Sequence, residues 1–334
     1  MVTLKDIAEL ASVNVSTVSR ALNDSEEIGE ETKNTIRQIA EKLNYRPNLT
    51  ARALVGKGTN SIGIILPEVR SNYYAQMANY IESELKRHDY SMLIGLSEFE
   101  LRNEAHYLDV LASHMVDGIL LVSIVKPAIK EKLCKVSASY RIPIVLMDCN
   151  RRIAGYDRFS IDENYSLMLA IGKFKETGMK RIGFVSDTLA GIARSKAFIY
   201  AMKRYGLPVD EELIRIGKER FEYGGYLRMK EILSLRKNVD AIFAAYDNMA
   251  IGAMKAITDS GLRIPDDISV IGTDNIRESE YQFIPLTTIS RPLKEMTRLS
   301  ISRLIERIDD PIKKDPVDIV LKGELIVRNT TRSV

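Results

Sequence analysis

Asn14-Val15-Ser16-Thr17-Val18-Ser19-Arg20-Ala21-Leu22-Asn23 reads as a short helix with two unlike faces. Asn14 is a suitable N-cap, because its side-chain oxygen can accept from an orphan backbone N–H. Val18, Ala21 and Leu22 fall on one side, and Val15, Ser16, Thr17, Ser19 and Arg20 fall largely on the other. That second face is small, hydroxyl-rich and carries one guanidinium. It fits a DNA major groove, where hydroxyls reach phosphates and arginine reaches guanine O6 and N7. An ordinary solvated helix face has the same composition, so the flanking chain has to decide.

Upstream, Thr3-Leu4-Lys5-Asp6 opens a helix with an N-cap hydroxyl and an acid three residues on. Ile7, Ala8 and Ala11 form its apolar stripe, small enough for a second helix to approach closely. Ser12-Val13-Asn14 is the turn between them, and two short helices so joined make a helix-turn-helix. Downstream, Ile36, Ile39, Ala40 and Leu43 recur at helical spacing, so a third helix over Glu30–Leu43 closes a three-helix core. It ends at Asn44-Tyr45-Arg46-Pro47, since a residue before proline avoids the helical region. The following Asn48-Leu49-Thr50-Ala51-Arg52-Ala53-Leu54 is helix-capable but too short to be stable alone in water. Gly56-Lys57-Gly58 makes a joint after it.

From Ser61 the pattern changes to buried strands alternating with helices. Ile62–Leu66, Met92–Leu96, Gly118–Val122 and Pro143–Met147 form one series, and Ile182–Val185, Ala241–Ala245 and Ser269–Gly272 form a second. Continuous apolar strands with helices between them imply parallel sheets covered on both faces. Two such series imply two similar doubly wound subdomains, with ligands expected beyond the carboxyl ends of the strands and in the cleft between them.

Composition bounds the rest. At 334 residues, 45% of them hydrophobic, the chain is long enough for two or three domains with sizeable cores. Its net charge of +3 says little about nucleic acid, and residues 1–60 carry eight basic and eight acidic side chains. Placement must carry that argument: Asp24 to Glu31 cluster in one connection, while Arg20, Arg46, Arg52 and Lys57 lie elsewhere. Cys134 and Cys149 fit no metal or redox pattern and read as buried free thiols in a reducing compartment. The three histidines, His88, His106 and His114, show no metal spacing. No apolar run reaches the ~18 residues of a membrane span, and no signal-peptide core opens the chain. The expectation is a cytoplasmic protein with no membrane, metal, cofactor or catalytic site; G-x-S-x-G and P-loop motifs are absent.

In sequence order, Leu4-Lys5-Asp6-Ile7-Ala8, Ser16–Asn23, Leu43–Asn48 and Ala51-Arg52-Ala53-Leu54 resemble the LacI/GalR transcription repressors. The resemblance continues at Asp247–Gly252, Pro265–Gly272, Pro285–Ile289 and Leu325–Arg328, and so runs through essentially the whole chain. It implies an α/β protein: a three-helix headpiece with a hinge helix, and two doubly wound subdomains of periplasmic-binding-protein type. The headpiece would occupy 1–47, the hinge and linker 48–60, and the core 61–334. Within the core, one subdomain would hold 61–161 plus 292–321 and the other 162–291 plus 322–334. The chain would be a regulator and not an enzyme, a homodimer or tetramer on double-stranded operator DNA, controlled by a small sugar-like effector. A cytosolic sugar-binding protein without DNA binding, and control by a protein co-repressor, are the alternatives.

Roles follow from the same resemblance. Val15, Ser16 and Arg20 match base-reading positions, and Thr17, Ser19 and Asn23 match phosphate-holding ones. Leu54 matches a minor-groove wedge, Ala51 and Ala53 let paired hinges pack closely, and Thr3 joins the DNA-facing set. In the cleft, Tyr73, Tyr74, Asp148, Arg194, Phe221 and Asp274 match effector positions. Carboxylates and arginine suit the hydroxyls of a polyol, and aromatic rings suit its apolar face. Tyr246 and Arg291 depart from the family's usual residues, the first narrowing the cleft and the second adding charge. Arg291 has two open readings: it binds a carboxylate or phosphate on the effector, or it neutralises Asp148 or Asp274.

Overall fold

The computed structural model describes residues 2–45, 58–123, 128–235, 237–310 and 315–333. The expected hinge helix, with Ala51 and Leu54, lies outside them. The chain divides into two compact units, Met1–Thr59 and Asn60–Val334.

Among its described residues the first unit contains three helices, α1 (Leu4–Ala11), α2 (Val15–Leu22) and α3 (Glu30–Lys42). Ile7, Ala8, Val18, Ala21, Ile36 and Ala40 form its buried core, with Ala11, Leu22, Ile39 and Leu43 packed around them. Asp6 accepts from the Thr3 N–H (2.7 Å) and hydroxyl (3.0 Å), fixing the start of α1. Ser12, at φ 54°, turns the chain into α2. Asn14 occupies the N-cap position without the expected side-chain cap. Its backbone carbonyl instead accepts from Thr17 (2.9 Å) and Val18 (3.1 Å), and its side chain stays exposed.

The second unit holds two six-stranded sheets. In chain order the first subdomain contributes β1 (Ser61–Leu66), α4 (Asn72–Lys86), β2 (Ser91–Leu96), α5 (Leu101–Ser113), β3 (Gly118–Val122), α6 (Ile129–Tyr140), β4 (Ile144–Met147) and β5 (Asp157–Ile161). The second contributes α7 (Glu163–Glu176), β6 (Ile182–Asp187), α8 (Gly191–Arg204), β7 (Ile214–Gly217), α9 (Phe221–Ser234), β8 (Ala241–Ala244), α10 (Asp247–Asp259), β9 (Ser269–Thr273), α11 (Arg277–Glu280) and β10 (Thr287–Ser290). Then α12 (Leu293–Asp309) and β11 (Asp318–Leu321) return to the first sheet, and β12 (Glu324–Ile326) ends in the second. The orders are β11-β5-β4-β3-β1-β2 and β12-β10-β9-β8-β6-β7. Every pairing is parallel except β10 with β12.

Strand alternation separates the faces of the first sheet. Ile64, Leu66, Leu120 and Val122 pack under α4 and α12. Ile65, Ile119, Leu121 and Leu146 pack under α5 and α6. The second sheet has its own core, in which the Phe184 and Phe243 rings stack at 6.2 Å. Sequence reading passed over β5, β7, β10, β11 and β12, because they are short and mix polar with apolar residues. In β5, Asp157 is buried yet paired with Arg303 (3.1 Å) and Arg307 (2.8 Å), so tertiary partners make a charged strand end tolerable.

Two expectations are corrected. β2 is not covered on both faces: it is an edge strand, and Leu93 and Ile94 are exposed. Cys149 is buried but Cys134 is exposed, because Leu133 and Val136 are the residues that α6 turns inward. Among the described residues no helix is long and apolar enough to cross a membrane.

Candidate functional site

On the headpiece, the inward turn of Val18 and Ala21 leaves Val15, Ser16, Arg20 and Asn23 exposed, with Thr17 and Ser19 half-buried. Thr3 is exposed as well. The Arg20 guanidinium donates to Glu27 (2.9 Å), Arg37 reaches Asp24 (2.7 Å), and Lys33 reaches Asp24 (3.1 Å) and Glu30 (2.8 Å). The acidic connection therefore folds back onto neighbouring bases, contrary to the separation expected from sequence. An exposed pair such as Arg20–Glu27 contributes about 1 kcal/mol or less, so DNA can displace it.

In the core, a cavity of about 170 Å³ lies at the carboxyl ends of both sheets. A dry cavity of roughly 150 Å³ encloses one benzene, so this one has room for a small ring. Seven of the eight expected cleft residues line it: Tyr73, Tyr74, Asp148, Arg194, Tyr246, Asp274 and Arg291. Phe221 does not. Its N–H donates to the Tyr246 hydroxyl (3.1 Å), and the Arg220 guanidinium lies 4.5 Å from its ring centre, so Phe221 backs the wall.

Local backbone geometry aims the two aspartates. Asp148 follows β4 and Asp274 follows β9, and each N–H still bonds the neighbouring strand, at Phe159 (2.8 Å) and Ile289 (2.9 Å). Both then adopt positive φ, 53° and 106°, ending the strand and turning the carboxylate into the cavity. Phe221, at φ 58°, is the costlier case, since a bulky residue is rarely found there. Gly272 serves the same corner: a Cβ would lie 2.2 Å from the Asp247 carboxylate. That buried carboxylate accepts from Thr288 Oγ1 (2.6 Å) and the Ile276 N–H (3.0 Å).

Four functional candidates were missed from sequence: Phe99, Glu163, Asp187 and Arg220 all line the cavity. Asp187 ends β6 as Asp148 follows β4, so the strand-end rule could have found it. Its Oδ1 accepts from the Leu189 and Ala190 N–H groups, each at 2.9 Å, and its Oδ2 from the Tyr246 hydroxyl at 2.7 Å. Arg220 carried no sequence signal. It grips Glu68 of the first subdomain with two bonds of 2.8 and 2.7 Å.

Arg291 is held by the chain itself. Its Nη2 donates to Asp148 (3.1 Å) and Glu163 (3.0 Å), Nη1 lies 3.6 Å from Asp274, and the guanidinium sits 4.6 Å from the Tyr73 ring centre. Tyr73 donates to the other Asp148 oxygen (2.9 Å). Arg194 donates to the Ala245 carbonyl and to Glu163 (3.4 Å). Burial pushes the Asp148 carboxyl up against the pull of Arg291, and pushes Asp274 up to about 6 against Arg194 and Arg291. For Glu163 burial raises the carboxyl too, but Arg194 and Arg291 outweigh it and hold it below the usual range. Behind Asp274, burial and then the Asp274 charge drive Asp247 well up. Polar donors and acceptors thus converge on one cavity.

Residues 3–48 match the model of bacterial regulatory proteins of the lacI family, and residues 171–331 match a periplasmic binding protein-like domain. The HTH-type transcriptional repressor PurR of Photorhabdus laumondii is 32% identical over 99% of this chain and 97% of its own length. This chain belongs to the LacI family. The PurR repressor of Escherichia coli O1:K1 is equally similar, at 32% over the same shares. Among solved structures, the lac repressor dimer bound to operator and the anti-inducer ONPF superposes with a TM-score of 0.88 at 24% identity, over 99% of both chains. The CelR–cellobiose complex superposes with a TM-score of 0.71 at 26% identity, over 99% of this chain and all of the other. The LacI-family protein is thus a DNA-binding transcriptional repressor, and the alternative of a sugar-binding protein without DNA binding falls away. Its fold is the one expected from sequence, a helix-turn-helix headpiece with two parallel α/β subdomains.

Proposed function

We propose that two copies of this LacI-family repressor bind a pseudo-palindromic operator, each placing α2 in a major groove, and that a small polyhydroxylated ring in the core cavity controls the affinity. The observation that carries this reading is the pairing, in one chain, of a solvent-facing Val15–Ser16–Arg20 surface with a polar, ring-sized cavity between two sheet ends. A two-fold operator follows from dimeric helix-turn-helix readers, whose symmetry the DNA mirrors. Dimerisation is supported by apolar side chains left in solvent, Leu93 and Ile94 on the edge strand and Tyr281 and Phe283 on the second subdomain.

In this reading Val15, Ser16 and Arg20 read bases, while Thr3, Thr17, Ser19 and Asn23 hold phosphates. Asp148, Arg194 and Asp274 bind effector hydroxyls, Tyr73 and Tyr74 cover its ring, and Tyr246 and Phe221 support the wall. Arg291 neutralises the carboxylates around it. Because the effector would touch both subdomains, it favours one relative orientation of them, with a coupling to DNA of about 1–3 kcal/mol that is reciprocal. Selection from random duplexes with the full chain is the test. The expected outcome is an enriched site with two symmetric half-sites; enrichment of a single half-site refutes the dimeric reading, and no enrichment refutes the assigned face.

A further inference from the structure

The cavity carries more negative charge than its guanidiniums balance. Among the described residues Asp148, Glu163, Asp187 and Asp274 line it, together with Arg194, Arg220 and Arg291. Arg220 is shared by Glu68, at 2.8 and 2.7 Å, and Asp187, at 3.3 Å. With Glu68 counted, five carboxylates share three guanidiniums. Arg291 is divided among Asp148, Glu163 and, at 3.6 Å, Asp274, with its Nε buried and without a hydrogen-bond partner, and Arg194 is divided between Glu163 and the Ala245 carbonyl.

Asp274 is the carboxylate left over. Its side chain is only 9% exposed, its Oδ1 is buried without a hydrogen-bond donor, and the nearest cation, Arg291 Nη1, stands off at 3.6 Å. A buried carboxylate oxygen without a donor is costly, and a ligand that supplies one recovers that cost. A neutral hydroxyl supplies the donor but leaves the charge. An anion meets four carboxylates, and all three guanidiniums it could reach are already ion-paired to carboxylates. A protonated nitrogen supplies both donor and charge.

We infer that the effector is a hydroxylated cation, a polyol ring bearing an ammonium or other protonated nitrogen seated against Asp274 and Glu163. The inference rests on the reading of this cavity as the effector site. Burial holds Asp274 high for an aspartate against the pull of Arg194 and Arg291, and a further positive charge beside it would favour its ionised form.

The test is titration calorimetry of the full chain at neutral pH, in an amine-free buffer with matched sodium chloride. The probes are glucosamine, glucose and glucuronate, and galactosamine, galactose and galacturonate. In at least one series the amino sugar should bind about tenfold tighter than its neutral parent, and the uronate weakest. Asp274→Asn, and independently the more exposed Glu163→Gln, should bring that ratio towards one. A neutral sugar or uronate that binds as tightly as the amino sugar, and loses binding in Arg194→Ala, overturns the charge assignment and leaves the effector site in place. Binding that is unchanged in all three variants overturns the site as well. No binding by any probe overturns the cation assignment.

Discussion

Asp274 concentrates the chemistry of the core in one side chain. Its carboxyl is pushed up to about 6 from an ordinary value near 3.8, chiefly by burial. The folded state therefore binds a proton more readily than the unfolded chain, so this group makes stability fall as pH rises from about 4 to about 6. Above that window the ionised, donor-less carboxylate is a standing cost. Asp274→Asn should raise the stability of the ligand-free protein by about 1–3 kcal/mol at neutral pH and have little effect below pH ~4. Thermal unfolding at both pH values checks this; equal melting points for wild type and variant at neutral pH would remove the assigned strain. Ligand donors need the ionised form, so effector binding should strengthen as pH rises through about 6. Arg194 shows the opposite economy, tied to Glu163 and the Ala245 carbonyl before any ligand arrives. Arg194→Ala should abolish effector binding in calorimetry while ligand-free dimerisation persists in sedimentation.

At the scale of elements, α2 carries the proposed reading surface on a small core. Its Val18 and Ala21 are fully buried, and its outer residues are held in place by packing and not by a side-chain cap. Arg20→Ala should cost roughly 1–3 kcal/mol of operator binding and relax one symmetric pair of base positions. An unchanged affinity and selection profile in a gel-shift series would return Arg20 to the solvated face. Glu27 competes for the same guanidinium at 2.9 Å. Glu27→Gln should therefore tighten DNA binding modestly, and the gain should shrink as salt is raised, because exposed pairs are screened.

Over the whole core, a bidentate ion pair spans the two subdomains. Glu68 lies beyond β1 of the first, and Arg220 immediately precedes α9 of the second. Arg220 also touches Asp187 at 3.3 Å, so the contact extends to the cavity wall. Asn72, donating to Glu278 at 2.7 Å, makes another bridge between subdomains. Glu68→Gln should loosen closure without emptying the site of its ligand contacts. The expected result is a weaker response of DNA affinity to effector, read as a smaller shift between gel-shift titrations with and without it. An undiminished shift would show that orientation of the subdomains is set elsewhere.

The sequence by itself determined the periodic features. Helical spacing of Ile7, Ala8, Val18, Ile36 and Ala40 defined the headpiece core, and apolar runs such as Ile62–Leu66 and Ala241–Ala245 defined the inner strands. These are local signals, because a side chain's face follows from its position in a repeat. The family resemblance singled out Asp148 and Asp274, and both line the cavity. Tertiary structure alone decided the remainder. β5 is a strand because Arg303 and Arg307 neutralise Asp157 from 146 and 150 residues away. Phe221 left the wall because Arg220 covers it, and Arg220 is held by Glu68, 152 residues distant. Whether Arg291 faces a ligand or neutralises its neighbours depended on Asp148, Glu163 and Asp274, which only folding brings to one guanidinium. Charge balance in a buried site is a sum over partners far apart in the chain, and no local pattern encodes it.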